Sequence, residues 1–285
     1  MSIYFKKIFR YVLFLLLSVF LFIPMWFVHL FLKKPSNDAK WKPQYALLPE
    51  IDLDDDNISI KNLRDFRYHP DKSIAQANYK NETFKLSKMQ KVWYGISHFG
   101  PHGLAHVLLS FEFSDGKYLV LSIEARLKKR HLGYNALKGL FGTYTKFMVF
   151  ATEQDVIGLR THVRGEKLYL YPLDISELYT KALLLNYLGR AQSLHTTPSF
   201  YNSVTDNCMT SLLIESQDFD NIVSWMDRRV LFPGYSDEIA HELDLIDNNR
   251  PLEELRRMAL VDPAVTTLED PDFSKKIRAN FIASP

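Results

Sequence analysis

The chain contains a single cysteine, Cys208, and its surroundings give it a chemical prospect. Thr205, Asp206 and Asn207 precede it and MTSLLIES follows, so Cys208 stands at the expected N-terminus of a helix, with Thr205 or Asp206 as the candidate cap. There the helix dipole and the free amides favour a thiolate, and the Cys208 N–H could help form an oxyanion hole. The same residues also fit a buried thiol packed under a helix start. A cysteine nucleophile needs a base within hydrogen-bond reach and a group that orients the base. His106 and Glu124 are the candidates. HVLLSFEF and KYLVLSIEAR flank Ser114, Asp115 and Gly116, the pattern of a β-hairpin. A three-residue turn sets Phe113 against Lys117, and counting back along both strands brings His106 directly opposite Glu124. The imidazole would take the thiol proton and the carboxylate would hold its tautomer. An ordinary ion pair of Glu124 with Arg126 or another base is the alternative.

His98, His102 and His106 are spaced by four, which on a helix would suggest a metal site. Gly100, Pro101 and Gly103 interrupt any such helix, so no metal and no cofactor is expected. His69, His131, His162, His195 and His241 have no comparable setting. One cysteine excludes an intrachain disulfide. With 35 basic against 33 acidic residues and no long basic block, nucleic acid is not an expected partner.

The elements that would position these residues read as an α+β domain. Tyr144–Ala151 is an expected strand. Thr152, with Asp155 three residues on, looks like the cap of a short helix through Arg160. Lys167–Leu173 is a further strand, and Asp174 opens a helix over ISELYTKALLLNYLGRA, with Gly189 near its end. Helices are also expected over Phe219–Met226, Ser236–Leu245 and Pro251–Leu260. At the other end, Tyr11–Leu32 carries no Asp, Glu, Lys or Arg and would span a hydrocarbon layer of about 30 Å as a helix. No A-x-A-like site follows it, which favours an uncleaved signal anchor. The organisation read from the chain is a cytoplasmic segment 1–10, a transmembrane anchor 11–32, a linker 33–60 rich in proline and aspartate, a catalytic domain 61–261 and a polar tail 262–285. Lys6, Lys7 and Arg10 before the span, against Lys33 and Lys34 after it, orient the domain to the periplasm of a single-pass inner-membrane protein.

The ordered run NLRDFRY, AHVLLSFEF, LSIEAR, TEQDVIGLR, LYLYPL and FYNSVTDNC resembles the Lnb N-terminal periplasmic domain family of bacteria over roughly Lys61–Glu215. That family is similar to circularly permuted papain-like enzymes of the NlpC type, in which the His strand precedes the Cys helix. The resemblance implies an antiparallel sheet with packed helices and a lipoprotein N-acylation activity. A fatty acyl chain would pass from a phospholipid to the α-amine of a lipoprotein, held on Cys208 as a thioester, with His106 as base and Glu124 orienting it. Larger members carry a further C-terminal region, so part of their substrate recognition is expected to be absent here or replaced by the anchor, which holds the domain beside donor and acceptor in one leaflet. Leu140, Phe141, Phe147 and Phe200 could shape an acyl groove, with core packing as their simpler use. Two other readings stay open: a cysteine peptidase or amidase acting on envelope peptide, and a scaffold in which Cys208 is merely buried.

Overall fold

Short apolar runs bounded by turn residues, such as HVLLSFEF and YLVLSIEAR, fill much of the chain from residue 50 to residue 126, and there it folds as sheet. The computed structural model describes residues 33–213, 224 and 227–282, and before them residues 4, 7–11, 13–15, 18, 20, 25, 28 and 32. Among these, no helix is long and apolar enough to cross a membrane. The expected span Tyr11–Leu32 and the expected helix Phe219–Met226 fall largely outside the described residues.

The strands are β1 (Glu50–Asp54), β2 (Asn57–Arg64), β3 (Arg67–Tyr68), β4 (Ile74–Gln76), β5 (Tyr79–Lys85), β6 (Met89–His98), β7 (Ala105–Phe113) and β8 (Tyr118–Arg126). There follow α1 (Ala136–Gly139), β9 (Tyr144–Ala151), α2 (Glu153–Gly158), a π-helical turn Leu159–Val163, β10 (Lys167–Pro172), α3 (Glu177–Thr196), β11 (Phe200–Tyr201) and α4 (Cys208–Leu213). Beyond these lie α5 (Arg228–Leu231), α6 (Ser236–Glu242), α7 (Leu252–Ala259), α8 (Phe273–Lys276) and α9 (Ala279–Ile282). The main sheet runs β1-β2-β9-β8-β7-β6-β10, with β5 added on β2 and β11 on β9. Its pairings are antiparallel apart from β2 with β9, which meet in parallel at Arg64 and Ala151.

The two faces of the sheet are covered by different helices. Val107, Leu109, Phe111, Leu121, Ile123, Met148 and Phe150 point to one core, shared with Leu184, Tyr187 and Leu188 of α3 and with Cys208 and Met209 of α4. Leu108, Val120, Phe147 and Val149 point to the other, against Val156 and Ile157 of α2 and Phe273 and Ile277 near the C-terminus. Strand β9 is buried along its whole length, as a central strand covered on both sides must be. The result is a mixed α+β fold with a large sheet and helices on both faces.

Two segments differ from their sequence reading. Residues 33–60 were expected as a linker, but Trp41 is buried and bridges to Lys128, and β1 with the start of β2 forms a hairpin at the sheet edge. The acidic run that suggests a tether lies on this edge: Asp52 and Asp54 face water while Ile51 faces the core. Charges on an exposed edge strand discourage pairing with other chains. Residues 262–285 were expected as a tail, yet Phe273, Ile277 and Arg278 are buried. Phe273, Ile277 and Phe281 recur every four residues and pack as a short stripe on the second core.

That stripe carries Arg278 into the interior. Its Nη1 donates to Glu153 Oε2 at 2.9 Å, its Nη2 to Glu153 Oε1, and its guanidinium lies over the rings of Trp93 and Tyr118 at 4.8 and 4.5 Å. Ser110 also donates to Glu153. Both charges are fully buried, so removing one leaves the other uncompensated. Glu153→Gln should therefore cost about 3–5 kcal/mol of stability in urea unfolding followed by circular dichroism. A loss below about 1 kcal/mol would show that the C-terminal stripe does not hold the sheet in solution.

Candidate active site

The hairpin of β7 and β8 closes as the turn chemistry requires. Phe113 N–H donates to Lys117 O at 3.0 Å, and Gly116 takes the left-handed φ of 82° that the turn demands. The register pairs Glu112 with Tyr118 and Leu108 with Ser122, the same step that sets His106 across from Glu124, although the ladder itself ends at Leu108 and Ser122. All of His106, Ser122 and Glu124 therefore sit on the α2 side of the sheet.

Ser122 stands between the two expected partners. Its hydroxyl donates to Glu124 Oε1 at 2.9 Å and meets His106 Nε2 at 2.7 Å. The carboxylate can only accept, so the serine proton points to Glu124 and the serine oxygen accepts from Nε2–H. This network assigns the Nε2–H tautomer and leaves Nδ1 as the bare, basic nitrogen. Glu124 thus acts on His106 through Ser122, which the register reading passed over. Ser122 could have been found from the strand itself, because residues two apart on β8 share a face.

Arginines keep the carboxylate charged. Burial would raise the Glu124 pKa, but Arg64 at 4.0 Å and Arg160 at 3.4 Å, with His106 and Ser122, bring it down to about 2. Arg64, at the end of β2, is itself fixed by Asp155 at 2.9 Å, whose carboxylate also takes the N–H of Phe66. Thr152 caps α2 as expected, accepting from Asp155 N–H, and the π-helical turn after α2 aims Arg160 at Glu124, with its Nη1 donating to Val156 O at 2.8 Å. The alternative reading of Glu124 as an ion-pair partner thus holds with Arg64 and Arg160 as the bases, not Arg126, whose guanidinium donates to Tyr45 O and Ala46 O and lies over Trp41.

His106 is half-buried and its pKa falls to about 3, because desolvation and the nearby Arg160 outweigh the attraction of Glu124. The imidazole is therefore neutral at physiological pH, as a base must be.

Cys208 begins α4, and Asn207 caps that helix. Asn207 Oδ1 accepts from Met209 N–H at 2.8 Å and Thr210 N–H at 3.0 Å. The expected caps serve otherwise: Asp206 holds Lys146 and Ser211, and Thr205 lies in the preceding turn. The Cys208 sulfur is buried, and burial raises its pKa, opposed by the N–H groups of Val107 and Met209, the Tyr201 hydroxyl and the charge of Arg160. Val107 follows His106 directly in β7, yet the two side chains point to opposite faces of the sheet, so the strand lies between thiol and imidazole. Val107 faces the core that contains Cys208, and His106 alternates to the other side with Ser122. No hydrogen bond joins the sulfur to the ring among the described contacts.

The histidine triplet falls on three different backbones: His98 ends β6, His102 sits in the turn at φ 56°, and His106 lies in β7. Of the residues considered for an acyl groove, Phe147 is core, Phe200 is half-buried, and Leu140 and Phe141 are exposed. A cleft of about 390 Å³ between the β7–β8 turn and Pro271–Lys275 lies at the far end of the hairpin from Cys208 and His106.

The family model for the Lnb N-terminal periplasmic domain matches residues 75–232, more than half of the chain. The chain belongs to this family. The match spans His106, Ser122, Glu124, Arg160 and Cys208, while Arg64 and Arg278 lie outside it. Membership in the Lnb N-terminal periplasmic domain family ties the protein to the cell envelope and to lipoprotein processing. No curated protein and no solved structure matches the chain.

The two shifted groups give a signed pH dependence. Between the ordinary histidine pKa near 6.5 and about 3, the unfolded chain holds a proton on His106 that the folded chain does not, so stability falls as pH drops through that window. Glu124 adds a loss in the same direction as pH falls from its ordinary value of 4.5 toward about 2. The urea midpoint should therefore drop between about pH 7 and about pH 4.5, and His106→Gln should flatten most of that drop. An unchanged slope in His106→Gln would show that the ring is not buried uncharged.

Proposed function

We propose that this protein is an envelope acyltransferase in which Cys208 carries a fatty acyl group from a phospholipid to the α-amine of a lipoprotein. The observation that supports the reading is the Glu124–Ser122–His106 chain, which leaves Nδ1 of a neutral imidazole as the free base, on the face of β7 opposite to the one that holds the Cys208 sulfur. The order of the parts supports it: the His strand precedes the Cys helix, as in permuted papain-like enzymes, and the family match covers both. The domain would then face the periplasm with its N-terminal apolar segment in the inner membrane.

With the thiol pKa raised and the imidazole pKa lowered, both groups rest neutral. Proton transfer to Nδ1 is then coupled to attack. The sulfur adds to the ester carbonyl carbon and the glycerol oxygen leaves as the thioester forms; the thiol proton reaches that oxygen by way of Nδ1, a transfer that requires the His106 ring to come round the end of β7 to the face that holds Cys208. The lipoprotein amine attacks the thioester next. It gives its proton to Nδ1, the C–S bond breaks, and the thiol recovers its proton. Ser122 and Glu124 stabilise the imidazolium at each stage without leaving their places.

Mass spectrometry of lipoprotein N-termini from cells producing the protein tests the reading. Wild type should yield N-acylated lipoprotein, and Cys208→Ala none. His106→Gln should lower the rate by about 10²-fold or more, with Ser122→Ala between it and wild type. Release of free fatty acid without amine acylation would make water the acceptor and the enzyme a hydrolase. Acylation that survives Cys208→Ala would remove the cysteine from the chemistry.

A further inference from the structure

The segment between β8 and β9 has a surface unlike the rest of the domain. Leu132 is fully exposed, Leu137 is 70% exposed, and Tyr134 and Leu140 are also open to solvent. Large aliphatic side chains gathered on one short element are costly to leave in water and mark a contact surface. The segment is nevertheless rigidly held. Asn135 caps α1 by accepting from Lys138 N–H, Tyr134 hydrogen-bonds Ser203 at 2.8 Å, and its ring packs on Tyr144 and Tyr201. The leucines are displayed on a braced platform.

Along the segment itself the charge is of one sign. From Ala125 to Thr152 there is no Asp or Glu, while Lys128, Lys129, Arg130 and Lys138 cluster at the leucines. The N-terminal segment adds to this collar: Lys33 Nζ donates to Phe141 O at 3.2 Å and Lys42 Nζ to Leu132 O at 3.4 Å. Lys33 directly follows the apolar run that ends at Leu32. The chain thus leaves its most hydrophobic stretch beside this patch.

We infer that the 131–142 segment is an interfacial docking surface for an anionic phospholipid bilayer, with the leucines entering the headgroup boundary and the basic collar meeting lipid phosphates. Apolar side chains beneath a cationic rim are the pattern by which proteins lie on anionic membranes, and each basic side chain near such a surface adds attraction. Tyr201, which packs on Tyr134, also touches Cys208, so the docked face adjoins the buried thiol. The inference extends the acyl-transfer reading by naming the lipid-facing side of the domain, and it stands on the patch and collar alone.

The full chain, carrying Leu137→Cys in a Cys208→Ser background and an environment-sensitive fluorophore at 137, is reconstituted in vesicles of phosphatidylethanolamine and phosphatidylglycerol with doxyl-labelled lipid. An Asp115→Cys reference labels the opposite end of the hairpin. Quenching at 137 should exceed that at 115 by about twofold or more, with the strongest effect from shallow quenchers that report a depth of about 5–10 Å. Replacing Lys129, Arg130 and Lys138 by Gln should weaken it, as should vesicles of phosphatidylcholine alone. Equal quenching at the two sites would overturn the inference, as would cross-linking between copies through 137 without lipid quenching. Quenching indifferent to anionic lipid would overturn the role of the collar. The labelled variants lack the thiol, so their behaviour is independent of whether Cys208 transfers an acyl group.

Discussion

A largely buried carboxylate that stays ionised is the constraint on which this domain is arranged. Glu124 keeps its charge because Arg64 and Arg160 approach it from two other elements, the end of β2 and the π-helical turn after α2. Holding three ionisable side chains out of solvent is expensive unless their hydrogen-bonding groups find partners, and here Asp155, Gln44 O and Val156 O take up guanidinium donors. The same residues therefore fasten strand to helix and fix the charge that directs the serine proton. Fold and site depend on one cluster.

The consequence for His106 is directional. A carboxylate alone would draw a proton onto the ring and make it a poor base; a serine set between them carries the orienting influence while burial and Arg160 keep the ring neutral. The imidazole is polarised without being charged. Cys208 is treated likewise, buried yet touched by two amides and a hydroxyl, so that neither group is ionised before a reaction begins.

Much of this was legible from local pattern. The hairpin register follows from the Ser114–Gly116 turn, β9 matches its expected limits, and Thr152 caps α2, because each rests on contacts within a few residues. The less legible features depend on distant partners or on competition between equivalent residues. Three polar residues precede Cys208, and only the packed turn decides that Asn207 caps while Asp206 turns to Lys146. The β1 hairpin and the C-terminal stripe were hidden by composition, since aspartates on an edge strand and lysines around Phe273 resemble solvated chain. The π-helical turn that aims Arg160 has no sequence signature at all.

The pairing of Arg278 with Glu153 spans 125 residues of chain. As the polypeptide emerges from its N-terminus, β6 to β9 can assemble with Glu153 facing a hollow and its charge unanswered. Closure of that side of the sheet must wait for residue 278. A domain built this way completes itself only after nearly all of the chain described here has been delivered, so during translocation it would reach the far side of the membrane as an open, half-covered sheet.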